Sequence, residues 1–242
     1  MNITTLRIAL KGISAYRELC QDPLMKRVFA LLDAIAAGWG ESAADQYIEV
    51  FYQLRQAGCA GLGDWLDERL RYDEAPYPLL VERGGTDPAL ETAARRDVET
   101  FVLLAGLDCD KLIRDMKGLL PDDYQTMLSN LPRWKAGAPF DFEELTAFYR
   151  THGAGIFAKY RAFVWEQGEL TPIARPDVPQ KRELLGYELQ RDAVVANTRA
   201  MLEGHLVNNV LLYGDCGTGK SATVKSLLAV EGFDDLRLIE LQ

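Results

Sequence analysis

Residues 214–221 carry the pattern G-x-x-x-x-G-K-[ST], which is the signature of a phosphate-binding loop. Its glycines permit positive φ, so that successive backbone N–H groups can converge on an anion. Its lysine can reach the β- and γ-phosphates of a nucleotide, and the serine hydroxyl that follows can ligate Mg²⁺. The spacing therefore predicts a nucleotide site with Ser221 as the Mg²⁺ ligand, formed by Gly214, Asp215, Cys216, Gly217, Thr218, Gly219, Lys220 and Ser221.

The residues on either side of the loop fit the same prediction. The run 209–213 is short and apolar, which is typical of a buried parallel strand. After the loop, Val224, Leu227 and Leu228 share one face of a predicted helix over 221–229. We therefore expect the order strand, loop, helix, with the phosphates near the start of the helix.

Cys216 stands in the loop at a position that the pattern leaves free. It could be a redox-sensing thiol, because loop amides and a nearby lysine lower a thiol pKa, but a small tolerated side chain is the favoured interpretation. The other cysteines, Cys20, Cys59 and Cys109, form no C-x-x-C pair. Scattered cysteines indicate a reducing compartment and argue against a disulfide framework or a zinc site.

Composition narrows the classes of partner. The chain has 242 residues, a formal charge of −9 and a sequence pI near 4.9. An acidic balance argues against nucleic acid as a partner, since phosphate contacts need clustered Lys and Arg. The sequence begins with no signal-peptide pattern, and no apolar run approaches the ~20 residues of a membrane span. We expect a soluble, cytoplasmic protein without a membrane partner.

Residues 1–153 are predicted to form a helical domain. Helix-start and helix-stop signals together with apolar spacing predict helices over 22–38, 42–56, 63–75, 86–106, 108–117 and 141–150. The segment 76–78 (PYP) is predicted to close the third of these helices. No catalytic constellation stands out in this region, so we expect an interaction or regulatory domain that contacts a protein partner.

The pattern changes after residue 153, and residues 154–180 are predicted to form a small β element with a linker. Aromatic residues over 155–165 favour a strand, 166–169 a turn, and 170–173 a short return strand. The prolines in 175–179 predict an extended linker, and we place the domain boundary there. Residues 181–242 then form the third region, with an amphipathic helix over 189–202.

Three segments carry a resemblance to a known family: "GIFAKYRAFVWE", "LLGYELQRDAVVANTRAML" and "NNVLLYGDCGTGKSATVKSLL". They resemble AAA+-type P-loop ATPases and, more narrowly, a bacterial family known as domain of unknown function 815, over roughly residues 150–242. The resemblance implies ATP and Mg²⁺ as cofactors, and adenine or ribose contacts from Leu185, Gly186 and Tyr187. A simple linker-to-helix turn at these three residues is the alternative. Complete AAA+ proteins commonly form rings, which implies homo-oligomers of the full-length protein.

The resemblance also implies parts that the sequence after Ser221 does not supply. Hydrolysing P-loop enzymes need a Walker-B acid, sensor residues and usually an arginine finger. Glu240 ends a predicted strand over 236–241, but the resemblance makes this the second strand and not the acid-bearing third. We therefore expect an incomplete α/β P-loop domain, the N-terminal part of a longer ATPase. It contains the ATP-binding loop, with weak or no nucleotide binding by this chain alone and no hydrolysis. The alternative is a helical interaction module with a vestigial or structural loop.

The resemblance to AAA+ ATPases also implies that the predicted 209–213 strand lacks its usual neighbouring strands. Parallel strands are stable only when they are paired and covered. We expect this strand to borrow a partner from the 156–173 hairpin or from another subunit, or to be loosely held.

Overall fold

The computed structural model describes residues 3–179 and 186–242. Their contacts divide the chain into two compact units, Met1–Gly155 and Ile156–Gln242. We call them the helical unit and the C-terminal unit. Each has its own cluster of buried apolar side chains. Residues 156–179, which lie within the predicted 154–180 hairpin and linker, belong to the same unit as the phosphate loop.

The helical unit confirms the prediction of a mainly α N-terminal region. Its described residues form α1 (Ile3–Lys11), α2 (Pro23–Ala37), α3 (Gly40–Gln56), α4 (Leu62–Arg71), α5 (Pro76–Glu82), α6 (Pro88–Ala105), α7 (Cys109–Lys117), α8 (Gln125–Ser129) and α9 (Phe142–His152). Short 3₁₀ turns lie at Arg17–Gln21 and Asp122–Tyr124.

Aspartate side chains define the starts of α2, α6, α7 and α9. The carboxylate of Asp22 accepts the N–H of Leu24 at 2.8 Å, and Asp87 accepts that of Ala89 at 2.9 Å. Asp108 and Asp141 cap α7 and α9 in the same way. Because each cap satisfies an otherwise unpaired amide, these helix starts could be read from the sequence.

The core of the helical unit is aromatic as well as aliphatic. Tyr47, Phe101 and Tyr149 are fully buried, and the Tyr149 hydroxyl donates to the Leu70 carbonyl oxygen at 2.7 Å. A buried carboxylate, Asp97, joins α6 to the turn after α1. It accepts the N–H groups of Ser14 and Ala15 at 2.8 and 2.7 Å.

One predicted boundary in this unit is wrong. The 76–78 segment does not merely close α4, which ends at Arg71; Pro76 begins α5. A proline fits the first turn of a helix, where its missing N–H costs no hydrogen bond. A helix not predicted from the sequence covers residues 3–11: this is α1, which buries Ile3, Leu6 and Leu10.

The C-terminal unit contains a small three-stranded sheet. Its described elements are α10 (Gly155–Lys159), β1 (Ala162–Glu166), β2 (Glu169–Pro172), α11 (Glu188–Leu202), α12 (Lys220–Ser226) and β3 (Leu238–Leu241), with a 3₁₀ turn at Leu227–Ala229. The strand order is β2-β1-β3, with β1 antiparallel to β2 and parallel to β3. Phe163 in β1 lies opposite Pro172 on one side and Ile239 on the other. Phe163 and Phe233 are fully buried.

Two strand predictions in this unit are wrong. Residues 155–159 form α10, so the first strand begins only at Ala162. Residues 209–213 form no strand, and Leu211 and Tyr213 are 83% and 88% exposed. Both edges of β1 are already paired, with β2 and β3, so the hairpin has no free edge at β1 to offer this run.

Among the described residues, no helix is both long enough and apolar enough to span a membrane.

Candidate functional site

The phosphate loop has the backbone conformation that its glycines allow. Gly214, Gly217 and Gly219 have φ values of 145°, 81° and 84°, which side-chain-bearing residues rarely adopt. The Thr218 hydroxyl donates to the Asp215 carbonyl oxygen at 2.9 Å and closes the loop on itself. Lys220 follows immediately as the first residue of α12.

The Lys220 ammonium bridges the beginning of the loop. Its Nζ donates to the carbonyl oxygens of Gly214 and Asp215 at 2.9 and 2.6 Å. A third and longer contact, at 3.4 Å, joins Nζ to Thr218 Oγ1. The chain thus holds a positive charge across the concave side of a glycine-rich turn.

This charge lies at a cavity of about 270 Å³ inside the C-terminal unit. The volume is near the lower end of the range of small-molecule sites. Its lining comes from the start of α11, from the two residues before the loop, from the loop and from the first turn of α12: Tyr187, Gln190, Arg191, Leu212, Tyr213, Gly214, Asp215, Thr218, Lys220 and Thr223.

Tyr187 reaches this cavity from an unusual backbone conformation. It is the N-cap of α11 with φ 54°, in the left-handed region, and it follows Gly186 with φ 75°. A left-handed tyrosine costs on the order of 1 kcal/mol. Of the predicted adenine contacts, Tyr187 lines the cavity, Gly186 is not part of the lining, and Leu185 lies outside the described residues.

The cavity lining combines polar and apolar side chains. Lys220 and Arg191 supply positive charge against Asp215, and Thr218 and Thr223 supply hydroxyl groups. Tyr187, Leu212 and Tyr213 supply ring and aliphatic surface. Such a lining suits an anionic ligand that also carries a flat ring.

The structure brings together only part of the predicted set. Gly214, Asp215, Thr218 and Lys220 line the cavity, whereas Cys216, Gly217, Gly219 and Ser221 are not in its lining. Cys216 is an exposed free thiol. Among the described residues, no group of three or more His, Cys, Asp or Glu side chains is placed to hold a metal ion.

Sequence reasoning missed the contribution of α11. Gln190 and Arg191 stand three and four residues after Tyr187, so they share its face at the start of the helix. That spacing was readable in the sequence, but nothing in it showed that this face meets the loop.

The most perturbed carboxylate described lies elsewhere, in the helical unit. Burial raises the pKa of Asp73 to about 6, against a lowering effect from the Ala75 N–H that it accepts at 2.6 Å. Nearby, burial also raises the pKa of the Tyr16 and Tyr149 hydroxyls, which lie 3.3 Å apart. These groups tie α4, α5 and α9 to the turn after α1.

Comparison with known proteins places a family match on the C-terminal unit. Residues 158–242 match the family described as "Protein of unknown function (DUF815)". The narrower resemblance drawn from the three sequence segments is thereby supported for these residues, which make up nearly all of the C-terminal unit. No curated protein and no solved structure matches the chain.

Proposed function

We propose that the C-terminal unit binds ATP, with the phosphates at residues 214–221 and the base toward Tyr187. The observation that carries this proposal is the placement of Lys220. Its ammonium is held by two loop carbonyls beside a cavity whose lining also includes two tyrosines. The triphosphate of ATP needs positive charge and adenine needs a flat apolar surface, and this lining supplies both kinds of group.

The hydrogen bonds of Lys220 support a phosphate contact. An ammonium has three donors, and two of them are used at 2.9 and 2.6 Å by the Gly214 and Asp215 carbonyls. The third contact, to Thr218 Oγ1 at 3.4 Å, is long for a hydrogen bond. A phosphate oxygen would be the stronger partner for that donor, because the bond would be charge-assisted.

Mg²⁺ belongs to the same proposal. The Ser221 hydroxyl would ligate the ion, with phosphate oxygens and water completing its shell, since Mg²⁺ commonly binds with few protein ligands. When bound, the ion would neutralise phosphate charge.

We assign the unit to the AAA+ class of P-loop proteins. The order of its parts supports this assignment: a turn at 186–187, helix α11, an apolar run, the glycine loop, α12 and then β3. Asp215 is the one carboxylate in the described lining, and it belongs to the loop itself. We therefore expect binding without turnover from the 242-residue chain, and hydrolysis as a property of a larger assembly.

Calorimetric titration with Mg-ATP tests the proposal. Lys220→Ala should weaken binding about 10- to 100-fold, because charge-assisted hydrogen bonds contribute roughly 1.5–3 kcal/mol. Lys225→Ala is the matched control: Lys225 lies on the same helix but pairs with Glu240 at 3.7 Å outside this cavity. Equal affinity of the wild type and Lys220→Ala, or equal weakening in both variants, would contradict the proposal.

A further inference from the structure

Helix α6 of the helical unit lines two neighbouring cavities. One, of about 410 Å³, is lined by Arg95, Val98, Glu99, Val102 and Leu103 of α6 and by Asp141, Phe142 and Glu143. The other, of about 170 Å³, is lined by Ile3, Leu6, Leu103, Gly106, Leu107, Asp108, Lys111 and Leu112. Leu103 lines both cavities, so the two are neighbours, and we call the surface that includes both the α6 groove.

The floor of the α6 groove is apolar. Val98, Leu6 and Leu112 are buried beneath it, and Phe142 forms part of one wall. Leu103 is different, since 47% of its surface is exposed at the junction of the two cavities. Apolar surface left in a concave feature is typical of an interaction site, whereas single exposed side chains on convex surface are ordinary.

The dimensions of the groove fit a helix. Arg95, Glu99, Leu103 and Gly106 follow one another at helical spacing along the same face of α6. At 1.5 Å per residue, the distance along α6 from Arg95 to Gly106 is about 16 Å. Three turns of a partner helix would span it, with anchors at i, i+3/i+4 and i+7.

The charged side chains that line the α6 groove form its rim, and their net charge indicates which kind of partner would fit. Arg95 pairs with Glu143 and stacks on Phe142 at 4.1 Å, and Lys111 pairs with Asp115 at 3.0 Å. Both groove cations are thus already neutralised within the unit. Four carboxylates line the groove against these two cations: Glu99, Asp108, Asp141 and Glu143. Glu143 is the partner of Arg95, and Asp108 lies 4.0 Å from the Arg114 guanidinium, so the excess negative charge of the rim comes from Glu99 and Asp141.

We propose that the α6 groove is a docking site for a basic amphipathic helix of a partner protein, with an apolar anchor of that helix packed on Leu103. The Lys or Arg side chains that flank the anchor lie along the acidic rim. This proposal concerns a different unit from the proposed ATP site and does not depend on it.

A pair of synthetic peptides tests the proposal. The first is an 18-residue helix former with Leu at the i, i+3, i+4 and i+7 positions and Lys elsewhere. The second has Glu in place of every Lys. Titrated into the full chain and followed by fluorescence anisotropy, the basic peptide should bind at least 10-fold more tightly than the acidic one.

Matched variants separate this site from general attraction to an acidic protein. Leu103→Lys and Glu99→Lys should each weaken binding of the basic peptide at least 5-fold. Ile48→Lys makes the same substitution at a residue of similar exposure, 44%, on α3 and should leave the affinity within 2-fold. All three positions are on the surface, and circular dichroism of each variant verifies that the fold is retained.

Three results would overturn the proposal. The first is equal weakening by Ile48→Lys and Leu103→Lys, which would indicate non-specific charge attraction. The second is equal binding of the acidic and basic peptides. The third is a dimer in light scattering that Leu103→Lys dissociates, which would make a second copy of the chain the occupant of the groove.

Discussion

Two aspartates of the helical unit show how one residue type can have opposite effects on stability. Asp97 is fully buried, and its carboxylate accepts backbone N–H groups from Ser14 and Ala15. Asp73 is half-buried with one short backbone bond, and desolvation dominates its titration. The first carboxylate stabilises the fold through these hydrogen bonds, whereas burial of the second as an anion opposes folding.

Replacing Asp97 removes the acceptor that holds the turn after α1. Asp97→Ala leaves three amides without this partner, those of Ser14 and Ala15 and, at a longer 3.4 Å, that of Tyr16, so we expect a loss of about 2–4 kcal/mol in the free energy of unfolding. Asp33→Ala serves as the comparison. It removes a more exposed ion pair, Arg7–Asp33 at 3.0 Å, and should cost less than about 1 kcal/mol. Urea denaturation measures both, and equal losses would show that Asp97 has no special role.

Asp73→Asn should stabilise the protein at neutral pH. The folded state raises the pKa of this carboxyl from 3.8 to about 6, so the folded state binds a proton more tightly than the unfolded chain. Stability from this group is therefore highest below pH 3.8, falls as pH rises to about 6, and stays low above that. Asparagine keeps the acceptor oxygen and removes the charge, which should add up to about 3 kcal/mol above pH 7.

Unfolding curves at several pH values check this sign. The advantage of Asp73→Asn over the wild type should shrink as the pH falls towards 4. Asp45→Asn, at an exposed position of α3, should show no comparable trend. An advantage that is constant with pH would assign the effect to something other than titration of Asp73.

At the scale of elements, local signals predicted helices better than strands. The Asp caps and following prolines of α2 and α6 lie within the elements that they define, so the sequence alone located both helices. The prediction of a strand over 209–213 was wrong because a strand also needs a neighbouring strand, and the sequence of the run does not show which strand would pair with it. Its apolar residues fit a buried strand, yet Leu211 and Tyr213 are exposed.

The candidate site also has a part that the sequence predicted and a part that only the structure revealed. The loop residues were predictable, because the motif fixes residue types at fixed spacing. The cavity walls from α11 were not, since they depend on where the helix lies in three dimensions. Tyr187 came from family resemblance, and Arg191 came only from the structure.

Hydrogen exchange should distinguish residues 210–213, which precede the phosphate loop, from the paired strands of the sheet. In the described part of the chain, the amides of residues 210–213 donate no hydrogen bond, whereas β1 is paired on both edges. We expect residues 210–213 to exchange at rates close to those of an unstructured peptide, and residues 163–165 to be strongly protected. Protection of residues 210–213 equal to that of β1 would show that the run is paired in solution.

For the whole molecule, the chief result is that two units carry separate cores. The helical unit buries Leu6, Tyr47 and Phe101 in one apolar cluster. The C-terminal unit has a second apolar cluster, which includes Phe233, and it also buries Phe163. The family match begins at residue 158 and therefore lies entirely within the second unit. Function is therefore best tested unit by unit.

Thermal unfolding should show this independence. Mg-ATP binds only the C-terminal unit in our proposal, so saturating ligand should raise the Tm of one transition and leave the other unchanged. At 100 times the dissociation constant, the stabilisation is about 2.7 kcal/mol. Calorimetry of the full chain with and without Mg-ATP measures it, and Lys220→Ala should abolish the shift. A single transition that moves as a whole would show that the units unfold together.

The exposed run before the loop also makes the chain a reporter of its own ligand. Chymotrypsin cleaves after tyrosine and leucine, and both Tyr213 and Leu211 are open to solvent beside Gly214. A cut after Tyr213 leaves Tyr187 on one fragment and Lys220 on the other, so limited digestion would divide the cavity lining between two fragments. A nucleotide that contacts both parts of the lining should slow this cleavage, and the digestion pattern on a gel would then report occupancy without any label.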